Sequence, residues 1–257
     1  MSMADPTLLD LYRASSKHSQ YQALPERLRP LLPPGSTWCA SRHERERLAF
    51  ICTKLDFSGL RVADIGGNTG YFSFEILDRA ARSVDYFEGN AEHALFVEQA
   101  ARQLGLAGKL RTQARYLDFS APFAGTYDVA LLLNVLHHIG DDYGDRDTGA
   151  DQVQQTIRES MTTMARHARC LVFQVGFNWK GNRNQPIFED GSRSNVIDLV
   201  KDLSAVWDIE AVGIARKAGD EVVYEDMGLA SVARDDSLGE FLNRPLFILR
   251  SRLLPAA

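Results

Sequence analysis

Two stretches of this chain carry residue types and spacings able to do chemistry. The first is Asp64-Ile65-Gly66-Gly67-Asn68-Thr69-Gly70. Glycines at 66 and 67 permit backbone angles closed to other residues and let a ligand approach bare backbone. Asn68 is among the few other residue types that tolerate the left-handed region. A carboxylate, Glu88, stands 22 positions beyond Gly66 (88 − 66). An acid about 20 residues after such a turn, at the tip of the next strand, is placed to accept hydrogen bonds from a ribose diol. The second stretch is His137-His138. A histidine titrates near neutrality and can take the proton of a hydroxyl nucleophile. Adjacent side chains point in different directions, so one of the pair is expected to face a pocket, and His138 is preferred.

The turn excludes two ligand classes by its spacing. A P-loop needs a lysine directly after its last glycine, and here Tyr71 follows Gly70. The dinucleotide fingerprint needs glycines at relative positions 0, 2 and 5. Counted from Gly66 or from Gly67, the third of these falls on Tyr71 or Phe72, too bulky for close helix–strand packing.

Elements that could position these residues are legible in the apolar pattern. Short apolar runs at Arg61–Ile65, Ser83–Phe87, Leu110–Tyr116, Val129–Leu133 and Cys170–Val175 read as strands. Amphipathic stretches of helical length, Tyr71–Arg82, Ala91–Leu104 and Gln152–His167, lie among them. Such alternation implies crossover connections and a largely parallel sheet. Two further runs, Ile209–Ala215 and Pro245–Leu249, suit an antiparallel pair at a sheet edge. The fold expected is a doubly wound α/β sandwich with a mostly parallel seven-stranded sheet. Residues 1–58 are expected to form an N-terminal helical extension and 59–257 a ligand-binding domain, in a single globular unit. Within the extension Leu48, Ile51, Cys52 and Leu55 fall at i, i+3, i+4 and i+7. Arg42, His43, Arg45 and Arg47 of that segment could bind an anionic acceptor, but a solvated helix face is the expected placement.

Asp64-Ile65-Gly66-Gly67-Asn68-Thr69-Gly70 resembles the Asp-x-Gly-x-Gly-x-Gly first motif of class I S-adenosylmethionine-dependent methyltransferases, with Asn68 in place of one glycine. The segment Tyr127–Ile139, containing Val135-Leu136-His137-His138, resembles the fourth-strand segment of the family's small-molecule members. The resemblance implies a Rossmann-like methyltransferase fold, S-adenosylmethionine as cofactor, and a cofactor site made of Asp64, Gly66, Gly67, Asn68, Gly70, Glu88, Asp118, Phe119 and Asn134. Asp118 and Phe119 would meet the adenine, and His138 or His137 would act as base.

Composition sets outer limits. The chain has 257 residues, 45% hydrophobic and 25% charged, with a formal net charge of −5; this is ordinary for a globular protein. Proteins that grip nucleic-acid backbone usually show a basic excess, so generic nucleic-acid binding is not expected. The Asn/Asp-Pro-Pro-Tyr/Phe motif of amine methylases is absent after the fourth strand. The expected acceptor is therefore a small molecule or sugar, methylated on oxygen; an anionic acceptor, or a cofactor-binding protein without catalysis, are the alternatives. Three scattered cysteines and no C-x-x-C pair argue against a zinc or redox motif. The acidic run Asp141–Asp151 lacks the EF-hand spacing and reads as a solvated loop, so no metal site is expected. Phe177–Gln185, polar with embedded aromatics, is expected to border an acceptor pocket. With no apolar run long enough to span a bilayer and no leader pattern, a cytoplasmic protein without a membrane partner is expected.

Overall fold

Arg61–Ile65 (β1) and Ser83–Phe87 (β2) bury four of their five residues each, which a strand covered on both faces demands and alternation would not give. They pair in parallel with Ile65 opposite Phe87. The computed structural model describes residues 6–14, 22–36, 41–120, 125–140, 144, 149, 152–188, 192–229 and 232–255. The chain divides into two units, one comprising 1–44 and 57–116, the other 45–56 and 117–257.

The first unit contains α1 (Leu8–Arg13), β1, α3 (Tyr71–Asp78), β2, α4 (Ala91–Gln103) and β3 (Leu110–Gln113). Its three strands are all parallel, in the order β3-β2-β1. Asn90 caps α4 by accepting the His93 N–H (2.9 Å). The short α1 has a full capping box between Thr7 and Asp10 and lays Tyr12 against Phe96 of α4, ring centroids 5.8 Å apart. In the middle of β2, Asp85 is held between Arg61 (2.9 Å) and Arg111 (2.5 Å).

The second unit holds most of α2 (Glu44–Lys54), with β4 (Tyr127–Leu133), α5 (Val153–Met164), β5 (Ala168–Gln174), α6 (Arg193–Lys201), β6 (Trp207–Ala218), β7 (Glu221–Asp226), α7 (Gly239–Leu242) and β8 (Leu246–Ser251). Its strand order is β4-β5-β8-β6-β7, with β4 and β5 parallel and the ladders of β5/β8, β8/β6 and β6/β7 antiparallel. The expected antiparallel pairing of the last two apolar runs is present as β6/β8.

Among the described residues the strand count is eight, not seven. The additional strand is β7, whose Glu-Val-Val-Tyr-Glu-Asp sequence exposes most of its length and so shows no apolar run. It is joined to β6 by the two-residue turn Gly219-Asp220, with Gly219 at φ +66°. The third strand is shorter than expected, ending at Gln113 rather than Tyr116. α6 also went unforeseen; Ser192 caps it, and Val196, Ile197, Leu199 and Val200 bury its face. Most of the Asp141–Asp151 run lies outside the described residues.

Trp207 anchors β6: it is fully buried and its indole N–H donates to the Met161 carbonyl of α5 (3.0 Å). Trp207→Phe leaves a cavity and removes this bond, and should lower stability by about 2 kcal/mol. Chemical denaturation followed by circular dichroism checks this; an unchanged midpoint would show that α5 and β6 do not depend on the indole.

Candidate active site

The parallel register of β1 and β2 carries Gly66 and Glu88 out of the sheet side by side. The Gly66 N–H donates to the Phe87 carbonyl (2.8 Å), and the Gly67 N–H donates to the same oxygen (3.3 Å). Gly66, Asn68 and Gly70 all have positive φ, at +71°, +51° and +82°. Gly67 has an ordinary φ but no room: a Cβ there would stand 2.4 Å from the Tyr86 ring. Tyr86 is itself fixed, fully buried and donating its hydroxyl to the Asn68 carbonyl.

Glu88 holds the turn from the other side. One carboxylate oxygen accepts the Asn68 N–H (2.8 Å) and the other accepts the Asn90 N–H (2.9 Å). An ionised carboxylate has about four acceptor positions, so this bridge leaves capacity for a ligand's hydroxyls. Thr69 N–H turns inward to Asn68 Oδ1 (2.8 Å), and Gly70 N–H to the Gly67 carbonyl (2.9 Å). The turn's amides are thus engaged within the protein, unlike those of a phosphate cradle. What it offers a ligand is bare backbone beside acids.

Asp64 is one of those acids. It is buried, accepts the Ser73 hydroxyl (2.6 Å), and its pKa is pushed from an ordinary 3.8 up to about 6, chiefly by burial, against the Ser73 bond and with help from the Glu88 charge. Burial and the same two carboxylates drive the Tyr86 phenol well above its usual range. Gln22, in the segment before α2, completes the cradle: its carbonyl oxygen accepts the Tyr71 N–H (2.9 Å) and the Thr69 hydroxyl (3.3 Å).

In the second unit the end of β4 is built on a different network. Asn134, at φ +61°, donates its backbone N–H to the Gln174 carbonyl (2.7 Å). Its side-chain amide donates to Gln174 Oε1 (2.9 Å) and accepts from Arg244 (2.8 Å). His137 is buried, and its Nδ1 accepts the Gly176 N–H (3.3 Å), which puts the proton of a neutral ring on Nε2. A Cβ at Gly176 would collide with that ring at 2.6 Å. His138 is half-buried, with its ring centroid 4.2 Å from that of His137. Asp118 is exposed and accepts the Ser120 N–H (2.8 Å) and hydroxyl (2.6 Å), while Phe119 is half-buried. In the segment after β5, Phe177 and Trp179 are buried; the Trp179 indole donates to the Ile139 carbonyl (2.7 Å).

Arg47 does not lie on a solvated face. It is buried, donating to Gln174 Oε1 (3.3 Å), with its guanidinium 5.2 Å from the Phe241 ring centre. Helical spacing did not expose this, because the helix turns Arg47 inward with Leu48 and Ile51. Gln22, Tyr86, Gln174, Tyr224 and Arg244 were likewise not singled out from sequence. Gln174 alone left a trace, as a polar residue interrupting the apolar run Cys170–Val175.

No family model matches the sequence, and no curated protein matches it. Solved structures do match by shape. WbdD, in a co-crystal with a kinase inhibitor, is 14% identical at TM-score 0.56, over 82% of this chain and 42% of that one. Magnesium protoporphyrin IX methyltransferase of Synechocystis PCC 6803, solved with bound S-adenosylmethionine, is 17% identical at TM-score 0.49, over 82% and 80%. A candidate tRNA (m1A22) methyltransferase of Streptococcus pneumoniae is 12% identical at TM-score 0.48, over 82% and 72%. The chain has the class I methyltransferase fold. The expectation of a small-molecule or sugar acceptor with no nucleic-acid partner is corrected by the tRNA-directed neighbour, since the methyltransferase fold does not select its acceptor. Among the described residues no helix is long and apolar enough to cross a membrane, and no cluster of ligating side chains could hold a metal.

Asp64 makes stability pH-dependent. Its folded-state pKa lies above the unfolded one, so its contribution is fully present below about pH 4 and is lost as pH rises through about 6. In Asp64→Asn, whose amide oxygen can still accept from Ser73, that fall should disappear. Melting temperatures of both proteins from pH 4 to 8 check this; parallel curves would show that Asp64 ionises normally.

Proposed function

We propose that this protein is an S-adenosylmethionine-dependent methyltransferase. The observation that carries the reading is the lock between turn and acid, Asn68 N–H to Glu88, beside a glycine backbone whose amides are already engaged. The Glu88 carboxylate at the turn, with Asp64 buried behind it, repels phosphates and favours a cationic nucleoside. That supports a sulfonium cofactor over a dinucleotide.

S-adenosylmethionine, when bound, supplies an electrophilic methyl group on its sulfonium. The residues proposed to hold it in the first unit are Asp64, Gly66, Gly67, Asn68, Gly70 and Glu88. Glu88 accepts the ribose hydroxyls, and the exposed Gly66 lets the nucleoside lie on the backbone, while Gly67 leaves room for the Tyr86 ring behind the turn. In the second unit Asp118 and Phe119 are proposed adenine contacts, and Asn134 a contact through its backbone, because its amide is engaged with Gln174 and Arg244. The proposed methyl acceptor atom is an oxygen, with His138 as the base removing its proton. His137, packed on Gly176, positions His138 by ring contact.

Titration calorimetry should show binding of S-adenosylmethionine and S-adenosylhomocysteine and none of NAD. Glu88→Ala should weaken S-adenosylhomocysteine by roughly 1.5 to 3 kcal/mol, about 10- to 150-fold. Glu88→Gln, which keeps one acceptor for the turn, should lose less. Tight NAD binding without sulfonium binding would end this reading.

His138→Ala should leave S-adenosylhomocysteine affinity nearly intact. It should lower single-turnover methyl transfer by roughly 10² or more, measured on an acceptor isolated by labelled-methyl transfer. Cofactor binding without transfer to any fraction would favour a non-catalytic binding protein, and an unchanged His138→Ala rate would remove the base role.

A further inference from the structure

The Asp64–Gly70 turn also has to start a helix, and the residue at that junction supplies no cap. Gly70 is the N-cap of α3, at φ +82° and with no side chain to accept an amide. A serine or aspartate there would be strained, and its Cβ would stand 3.0 Å from Val97 of α4. The buried N–H of Tyr71, the first residue of the helix, therefore needs an acceptor from elsewhere in the chain. Gln22 supplies it from 49 positions away. Its Oε1 accepts the Tyr71 N–H (2.9 Å) and the Thr69 hydroxyl (3.3 Å), and Gln22 itself is only 8% exposed. It grips the buried end of the turn, Thr69 to Tyr71, and leaves Gly66 exposed.

Gln22 belongs to a segment fastened along the two helices that frame the turn, all within the first unit. Arg27 pairs with Asp78, the last residue of α3 (2.5 Å), so the segment meets α3 at both ends. α1 lies on α4, with Tyr12 against Phe96 and Gln99 donating to the Pro6 carbonyl (3.4 Å). Arg13 donates to the Ser36 carbonyl (3.4 Å), closing the segment on itself. The Arg27–Asp78 pair is 30% and 40% exposed, so it contributes little to holding the segment down. Burial of Leu8, Leu11, Leu24 and Leu28 does that, and Gln22 is the group that joins the held segment to the turn. The other helix, α4, starts at the Asn90 cap, whose N–H is held by Glu88.

We propose that Gln22 is a positioning residue for the ligand-binding turn, and that residues 6–14 and 22–36 form a strap whose docking is coupled through it to ligand binding. A ligand that needs the turn in this conformation favours the docked strap, and by linkage the docked strap raises that ligand's affinity by the same factor. That the ligand is S-adenosylmethionine rests on the methyltransferase reading; the hold of Gln22 on the turn does not.

Hydrogen exchange and calorimetry on the full chain, with S-adenosylhomocysteine as the probe, test this. In the wild type the ligand should slow exchange over 6–14 and 22–36 as well as over 66–72, by about threefold or more. Gln22→Met, which fills the same space without an acceptor, should weaken S-adenosylhomocysteine by roughly tenfold. It should also abolish the ligand's effect on the strap while keeping that on the turn. Gln22→Glu retains an acceptor oxygen and should restore both the affinity and the effect on the strap. Without any ligand, Gln22→Met should speed exchange over 66–72. Wild-type slowing confined to the turn would overturn the coupling, and this measurement decides it even if Gln22→Met does not fold. Unchanged affinity in folded Gln22→Met, or equal losses in the Met and Glu variants, would overturn the positioning role. A wild type that binds no S-adenosylhomocysteine, with exchange over 66–72 still quickened in Gln22→Met, would sink the methyltransferase reading and leave Gln22's hold on the turn standing.

Discussion

The pairing of β1 with β2 is the constraint on which the cofactor turn depends. Parallel strands in register deliver their next residues to the same edge, so Ile65 opposite Phe87 makes Gly66 the neighbour of Glu88. Everything built at that edge uses this adjacency. The Phe87 carbonyl takes two turn amides, Glu88 takes a third, and the Tyr86 ring occupies the space a side chain at Gly67 would need. A slip of one residue would turn Tyr86 to the other face and carry the acid away from the turn.

Charge distinguishes the two units. The turn gathers carboxylates and a phenol in a dry setting, enough to raise Asp64 to about 6. At the strand ends of the second unit the buried Arg47 and Arg244 donate to the neutral amides of Gln174 and Asn134, and Arg244 also pairs with Glu240. A net charge of −5 hides both features, because a sum over all charged residues carries no positions. Local sign is what selects ligands, through short contacts in low dielectric.

The two histidines show how packing separates identical neighbours. Both follow β4 in one 3₁₀ turn, yet His137 is wedged against the backbone of Gly176 and His138 keeps partial exposure. The glycine after β5 is therefore as much a part of the arrangement as the histidines, since any side chain there would displace the ring.

The sequence by itself determined the alternation of strands and helices, the limits of β1 and β2, and the conformation of the turn. These are local properties: apolar runs, glycine spacing and the left-handed tolerance of Asn68 act over a few residues. It also placed Glu88 at a strand tip, because strand length is read from the same runs. Only the tertiary structure decided what required distant residues to meet. Gln22 reaches Thr69 across 47 positions, and Arg244 reaches Asn134 across 110. β7 and the inward turn of Arg47 were hidden for the same reason. An edge strand needs little apolar sequence once a partner supplies its ladder, and a charged side chain enters a core only where other segments bring it partners.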